Sequence, residues 1–197
     1  MQTDYPFLAD LLKYPTGQLR VRLADCQNET LSPLIDYVRS VSDTEWEELY
    51  IRTFDIQAIC YLEIGYVLFG EDYKRGHFLV KLQGLQRAHD NDCGTELSDH
   101  LINILTLLPK MQDREEARDM VERLILPAMQ KMLQGFSKGG NVYQAVLQTI
   151  VAVLKKDYDC TDPIDEKPGR DFSHYDASLE LPSYNPSTNP WDIWREP

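Results

Sequence analysis

The chain has 197 residues and carries 20 Lys and Arg against 32 Asp and Glu, a formal net charge of −12. That length is one domain, or one domain with a tail, and a hydrophobic content of 43% supports a core without disulfide or metal staples. The charge argues against nucleic acid, whose phosphates need a basic face, and favours a basic peptide or protein segment as partner.

The cysteines at 26, 60, 93 and 160 form no CxxC clip, so neither a zinc ribbon nor a thioredoxin-type pair is expected. Scattered in this way they read as reduced thiols of a cytoplasmic protein. The N-terminal stretch has an acid at Asp4 and no basic region, unlike a secretory signal. No apolar run approaches the roughly 18 residues of a membrane span, so no membrane insertion is expected.

In chain order, Phe7, Leu8, Leu11 and Leu12 are spaced for one face of a first helix, and Tyr14-Pro15-Thr16-Gly17 makes a turn. A second short helix holds Leu19, Val21, Leu23 and Ala24. Ser32 reads as an N-cap before Pro33, opening a helix with Leu34, Tyr37, Val38 and Val41 on one side. Ser42-Asp43-Thr44-Glu45 has the form of a capping box, with Trp46, Leu49, Tyr50 and Thr53 behind it. Residues 56–69 are apolar nearly all round, which fits a buried helix or a buried strand; the length favours a central helix ending at Gly70.

Glu71 and Asp72 start the next helix, through His77, Phe78, Val80, Leu82 and Leu85. Gly76 inside it costs about 1 kcal/mol relative to Ala, which suggests a close helix approach. Residues 91–94 form a loop, and Leu97 to Leu108 is helical up to Pro109, with Ser98 or Asp99 as its cap. Asp113 begins a helix in which Pro127 should produce a kink. Gly139-Gly140-Asn141 caps a last helix, Val142 to Leu154, closed by Lys155 and Lys156 at its negative end.

Residues 156–197 hold six of the eleven prolines and a net charge of −6, with few large aliphatics. They read as an extended tail. Tyr184, Trp191 and Trp194 suggest that this tail docks on its own bundle and partly covers a groove. The expected fold is therefore all-α: a single-domain bundle of eight or nine helices over residues 1–156, followed by an acidic, proline-rich tail over 157–197.

The sequence holds no Gly-rich phosphate loop, no G-x-S-x-G and no H-E-x-x-H. His89, Cys93 and His100 could supply three metal ligands, but structural zinc wants four ligands in clustered pairs. Glu63 stands out in its apolar stretch, because a buried carboxylate must be paired or must line a groove. Glu96, Asp99 and His100 gather two carboxylates and an imidazole at one helix start.

The order Tyr50-x-x-x-Phe54-Asp55, an apolar segment, Gly70-Glu71-x-x-x-Arg75-Gly76 and Glu96-Leu97-x-Asp99-His100-Leu101 resembles the NarJ/TorD/DmsD family of molybdoenzyme-specific chaperones. Leu8-Ala9-x-Leu11-Leu12-x-Tyr14-Pro15 is similar to the N-terminal helix of that family, and the resemblance spans residues 7–155. The NarJ branch fits best, although Ser98 stands where NarJ proteins usually have proline. The resemblance implies a non-enzymatic, cytoplasmic chaperone, a monomer or weak dimer without a cofactor of its own. It would bind the N-terminal segment of the apo catalytic subunit of a molybdenum oxidoreductase, respiratory nitrate reductase first among them. It would hold that subunit for insertion of the molybdopterin guanine dinucleotide cofactor. The implied peptide-binding residues are Tyr50, Phe54, Glu63, Arg75, Glu96, Asp99 and His100. A histidine at such a groove would make affinity pH-dependent. The alternatives are a structural subunit of an oxidoreductase complex and a metal-dependent enzyme using His89, Cys93 and His100.

Overall fold

A computed structural model of the chain describes residues 3–136 and 139–160. The expected docking of the tail, with Tyr184, Trp191 and Trp194, concerns residues outside this set. Among the described residues there are ten α-helices and no strand. Two of the helices are joined through a π segment, which leaves nine separate rods, and the all-α expectation holds.

Helix α1 (Tyr5–Asp10) is capped by Asp4 and packs most closely against α7 (Leu101–Leu107). Helix α2 (Gly17–Ala24) starts at the Thr16 cap. Helix α3 (Ser32–Ser40) differs from expectation at its start. Asn28 caps a short 3-10 turn, Glu29–Leu31, that runs straight into α3, so Ser32 already lies inside the helix and caps nothing. The capping box of Ser42 and Glu45 forms as read and opens α4 (Asp43–Phe54).

The central buried helix is not at 56–69. Only α5 (Ile64–Phe69) is helical there, and the chain from Asp55 to Glu63 is irregular. Asp55 leaves the helical region, and Gln57 adopts a left-handed φ of 52°, which breaks the ladder. Beyond it Ile59, Cys60, Tyr61 and Leu62 alternate outward and inward, the period of an extended segment rather than of a helix. The role falls to α7, of which every residue except Thr106 is buried.

Helix α6 (Tyr73–Ala88) is capped by Asp72. Gly76 faces open space, so the expected close approach is not there. It occurs at Gly65, where a Cβ would meet Asp99 Oδ2 at 2.6 Å and Phe78 Cδ1 at 2.8 Å. Helix α7 begins at 101 rather than 97, because residues 98–100 are drawn into an antiparallel bridge between Glu63 and His100. Helices α8 (Arg114–Met120) and α9 (Leu126–Gln134) flank the π segment Val121–Ile125. Pro127 has no N–H for the carbonyl four residues back, and the ladder answers with a wider turn in which the Leu126 N–H reaches the Val121 carbonyl. Helix α10 (Tyr143–Asp157) closes the bundle, with the Asn141 side chain accepting from the Tyr143 N–H. All four cysteines are free thiols, and among the described residues no helix is long and apolar enough to cross a membrane.

Candidate functional site

One wall of a cleft of about 670 Å³ is built from α4 and the turn that follows α1. Tyr50 and Phe54 stand four apart on α4, so their rings share a face. They meet edge-on at 5.2 Å between centroids, and Tyr50 also meets Tyr14 at 5.6 Å. The Tyr50 hydroxyl donates to the Leu12 carbonyl at 3.0 Å. Behind it Tyr143 packs on Phe54 at 4.8 Å and accepts from the Trp46 indole at 2.9 Å. The aromatic wall is therefore backed by the buried Trp46–Tyr143 hydrogen bond.

The opposite side is irregular backbone, fixed by two main-chain bonds. The Leu101 N–H donates to the Leu62 carbonyl at 2.9 Å and the Ile64 N–H to the Asp99 carbonyl at 3.0 Å. This bridge sets Glu63 and His100 side by side in the cleft. The 92–96 loop is clamped by buried amides. The Asn103 amide donates to the Leu97 carbonyl at 2.8 Å, and Asn91 donates to the Gln86 side chain, the Asn103 carbonyl and the Thr106 hydroxyl.

Among the described residues, Asp55, Glu63, Asp92 and Glu96 line the cleft against a single lysine, Lys13. The field is felt by Tyr50, whose hydroxyl is pushed up to about 12 by burial and then by Glu96, Asp55 and Glu63. A cation entering here meets four carboxylates beside an aromatic face, a setting that suits Lys or Arg with apolar neighbours.

Five of the seven residues expected from the sequence, Tyr50, Phe54, Glu63, Glu96 and His100, line this cleft. Arg75 and Asp99 do not; they lie behind the bridge. Asp99 is 0% exposed, and its Oδ2 receives Arg75 Nε at 3.4 Å, while its Oδ1 is buried without a partner. Burial raises the Asp99 carboxyl above the ordinary carboxylate range, Arg75 pulls it back, and Glu63 raises it further. Arg75 also lies over the Tyr66 ring, 5.3 Å from its centroid.

His100, and not Ser98 or Asp99, caps α7: its Nδ1 accepts from the Ile102 N–H at 3.3 Å. The hydrogen bond assigns the proton to Nε2. Burial depresses its pKa, with Glu96, Glu63 and Asp99 opposing, so the imidazole is neutral at pH 7. The expected charge change near neutrality is thus displaced to lower pH. Ser98 instead donates its hydroxyl to the Leu79 carbonyl at 3.0 Å.

Sequence reasoning missed Lys13, Tyr14, Asp55, Asp92 and Thr95 as lining residues. Tyr14 and Asp55 stood inside the recognised motifs, whereas nothing in the local pattern marks Lys13 or Thr95. Cys93 and His100 reach the cleft and His89 does not, and among the described residues no three His, Cys, Asp or Glu side chains are grouped to hold a metal ion. No protein-family model matches the sequence, and no curated protein matches it either.

Proposed function

We propose that the protein is a dedicated assembly chaperone. It binds the N-terminal segment of the apo catalytic subunit of a molybdenum oxidoreductase in the cleft between α4, the 55–63 stretch and the 92–96 loop. It is a binding protein and not an enzyme. The observation that carries the reading is convergence. Residues from three separate stretches of the resemblance, Tyr50 with Phe54, Glu63, and Glu96 with His100, meet in one aromatic and acidic cleft. Four carboxylates and an aromatic wall suit a basic, amphipathic segment that folds as it binds. Retaining that segment would keep the subunit open for insertion of the molybdopterin guanine dinucleotide cofactor.

Respiratory nitrate reductase is the client this reading puts first. Ser98 favours a second client, another enzyme of the dimethyl sulfoxide reductase family. Its hydroxyl is spent on the Leu79 carbonyl, a bond that proline at this position could not make. The test is purification of the tagged full chain from cells blocked in cofactor synthesis, followed by identification of what comes with it. Capture of an apo molybdoenzyme subunit that is released once the cofactor is supplied is the expected result. Retention in the mature, cofactor-loaded enzyme would instead make the chain a structural subunit.

A further inference from the structure

Three of the eight exposed large hydrophobic side chains among the described residues lie in one short stretch: Ile56 at 66%, Ile59 at 42% and Tyr61 at 41%. Isolated exposed aliphatics need no explanation, but a group of three in one loop does. The loop is not loose. The Ile56 N–H donates to the Ile51 carbonyl and the Cys60 N–H to the Thr53 carbonyl, both at 3.1 Å. Cys60 and Leu62 point inward and are buried. The Ile59 carbonyl sits against Gly135 so closely that any Cβ there would collide with it. Tyr61 is held edge-on against Tyr66 at 4.8 Å between centroids. The scaffold thus holds the backbone and presents the apolar side chains outward. Both ends of the loop, Phe54 with Asp55 and Leu62 with Glu63, belong to the lining of the acidic cleft.

We propose that the 55–62 loop is the second half of a two-part binding surface for a basic amphipathic peptide. The peptide's Lys or Arg side chains enter the cleft among Asp55, Glu63, Asp92 and Glu96, and its apolar stripe lies across Ile56, Ile59 and Tyr61. The occupant follows from charge complementarity. Among the described residues four carboxylates stand against one lysine in the cleft, and with the chain's net charge of −12 they attract a cationic segment. The same field repels an anionic lipid surface and a second copy of the chain. The proposal rests on reading the cleft as a peptide site, and it is independent of which protein supplies the peptide.

The probe is a fluorescently labelled peptide of leucine and lysine in helical amphipathic order, titrated into the full chain. The controls are the same pattern with glutamate for lysine, and a lysine–serine peptide. The leucine–lysine peptide should bind and both controls should bind at least tenfold more weakly. The double variant Ile56→Ser/Ile59→Ser should lose roughly tenfold or more in affinity, since two aliphatic contacts go. Glu63→Gln/Glu96→Gln should lose a similar factor and also flatten the salt dependence, which the serine variant should retain. All four sites are at least partly exposed, so circular dichroism and thermal midpoints should match the parent. Unchanged affinity in the serine variant would overturn the proposal, as would equal binding of the glutamate peptide. Stronger binding to vesicles of anionic phospholipid than to the peptide would overturn it too, and so would a serine variant whose only change is lost self-association. A molybdoenzyme subunit captured from cells with equal yield by parent and serine variant would uphold the proposed client and sink this surface. Peptide results as expected without any such capture would do the reverse.

Discussion

At position 100 one imidazole does two things that conflict at low pH. Its Nδ1 lone pair caps α7, and its ring is buried beside Glu63 and Glu96. Its folded pKa lies below the unfolded value of 6.5, so its contribution to stability is complete above pH 6.5 and is lost as pH falls through the folded pKa. A proton on Nδ1 would also turn the acceptor towards the Ile102 N–H into a donor. The urea midpoint should therefore fall between pH 7.5 and 5.5 in the parent. Asparagine is itself a good N-cap and does not titrate, so His100→Asn should keep the helix start and lose most of that slope. An unchanged slope in the variant would place the titration elsewhere. Asp99 has the opposite sign. Its folded pKa is raised, so its contribution is complete below its unfolded value of 3.8 and is lost as pH rises through the folded pKa. Asp99→Asn removes the buried charge and leaves Arg75 an acceptor, while the Arg75 side chain is 22% exposed and can still reach water. At pH 7 the Asn variant should melt at or above the parent temperature, with the advantage shrinking as pH falls towards 4. Asp99→Ala, which empties the space above Gly65, should melt below both. A destabilised Asn variant at pH 7 would mean that the ionised pair contributes more than burial costs.

The elements that carried legible signals were those in which a local rule and the tertiary fold agree. The Ser42–Glu45 box fixed the start of α4, the set of Trp46, Leu49, Tyr50 and Thr53 followed from helical spacing, and Phe54 came with the resemblance. The aromatic wall of the cleft was therefore readable. The stretch 56–69 was not, because hydrophobic content says nothing about direction. The alternation from Ile59 to Leu62 was present but short, and the turn at Gln57 depends on a left-handed φ that Gln does not advertise. Arg75 and Asp99 were placed in the site because they sit in the same motifs as its lining residues, and sequence order does not separate the front of a bridge from its back. Least legible was the amide network behind the 92–96 loop, which joins α6, the loop and α7 through side chains far apart in sequence. Its weight can be measured at Asn91. In Asn91→Leu the Gln86 Oε1 loses its donor, whereas the Asn103 carbonyl still accepts from the Thr106 hydroxyl at 3.1 Å. A buried orphan costs about 1–3 kcal/mol, so urea denaturation should show a loss in that range. Amide exchange at Gly94 and Glu96 should accelerate more than exchange in α10. Uniform acceleration would indicate that the network supports the whole fold and not the loop.

On the scale of the molecule, the two ends of the described body are fastened together, and the fastening reaches the cleft. Tyr5 on α1 donates its hydroxyl to the Asp157 carboxylate at 3.1 Å. Arg114 at the start of α8 donates to the Asp157 carbonyl, and its guanidinium lies over the Tyr158 ring at 5.1 Å. Tyr158 and Cys160 are buried, and the Cys160 N–H donates to the Lys155 carbonyl at 3.0 Å. Four residues past Lys156, where composition alone set the boundary of the helical domain, thus belong to the packed body. Helix α1 is gripped by α7 on one side and by this junction on the other, and it leads directly into Lys13 and Tyr14 of the cleft wall. Two shortened chains, one ending at Lys156 and one at Cys160, differ only in these residues. Burying a side chain of the size of Tyr158 contributes about 1.5–3 kcal/mol, and the hydrogen bonds to Asp157 add about 1 kcal/mol each. At about 2–4 °C per kcal/mol for a domain of this size, the chain ending at Lys156 should melt roughly 10 °C below the one ending at Cys160. Because α1 loses an anchor, the shorter chain should also bind the leucine–lysine peptide more weakly, even at a temperature where both are folded. Equal melting temperatures would show that residues 157–160 add nothing to the body. A lower midpoint with unchanged affinity would show that α7 and the Tyr50 contacts hold the cleft wall at Tyr14 without this junction.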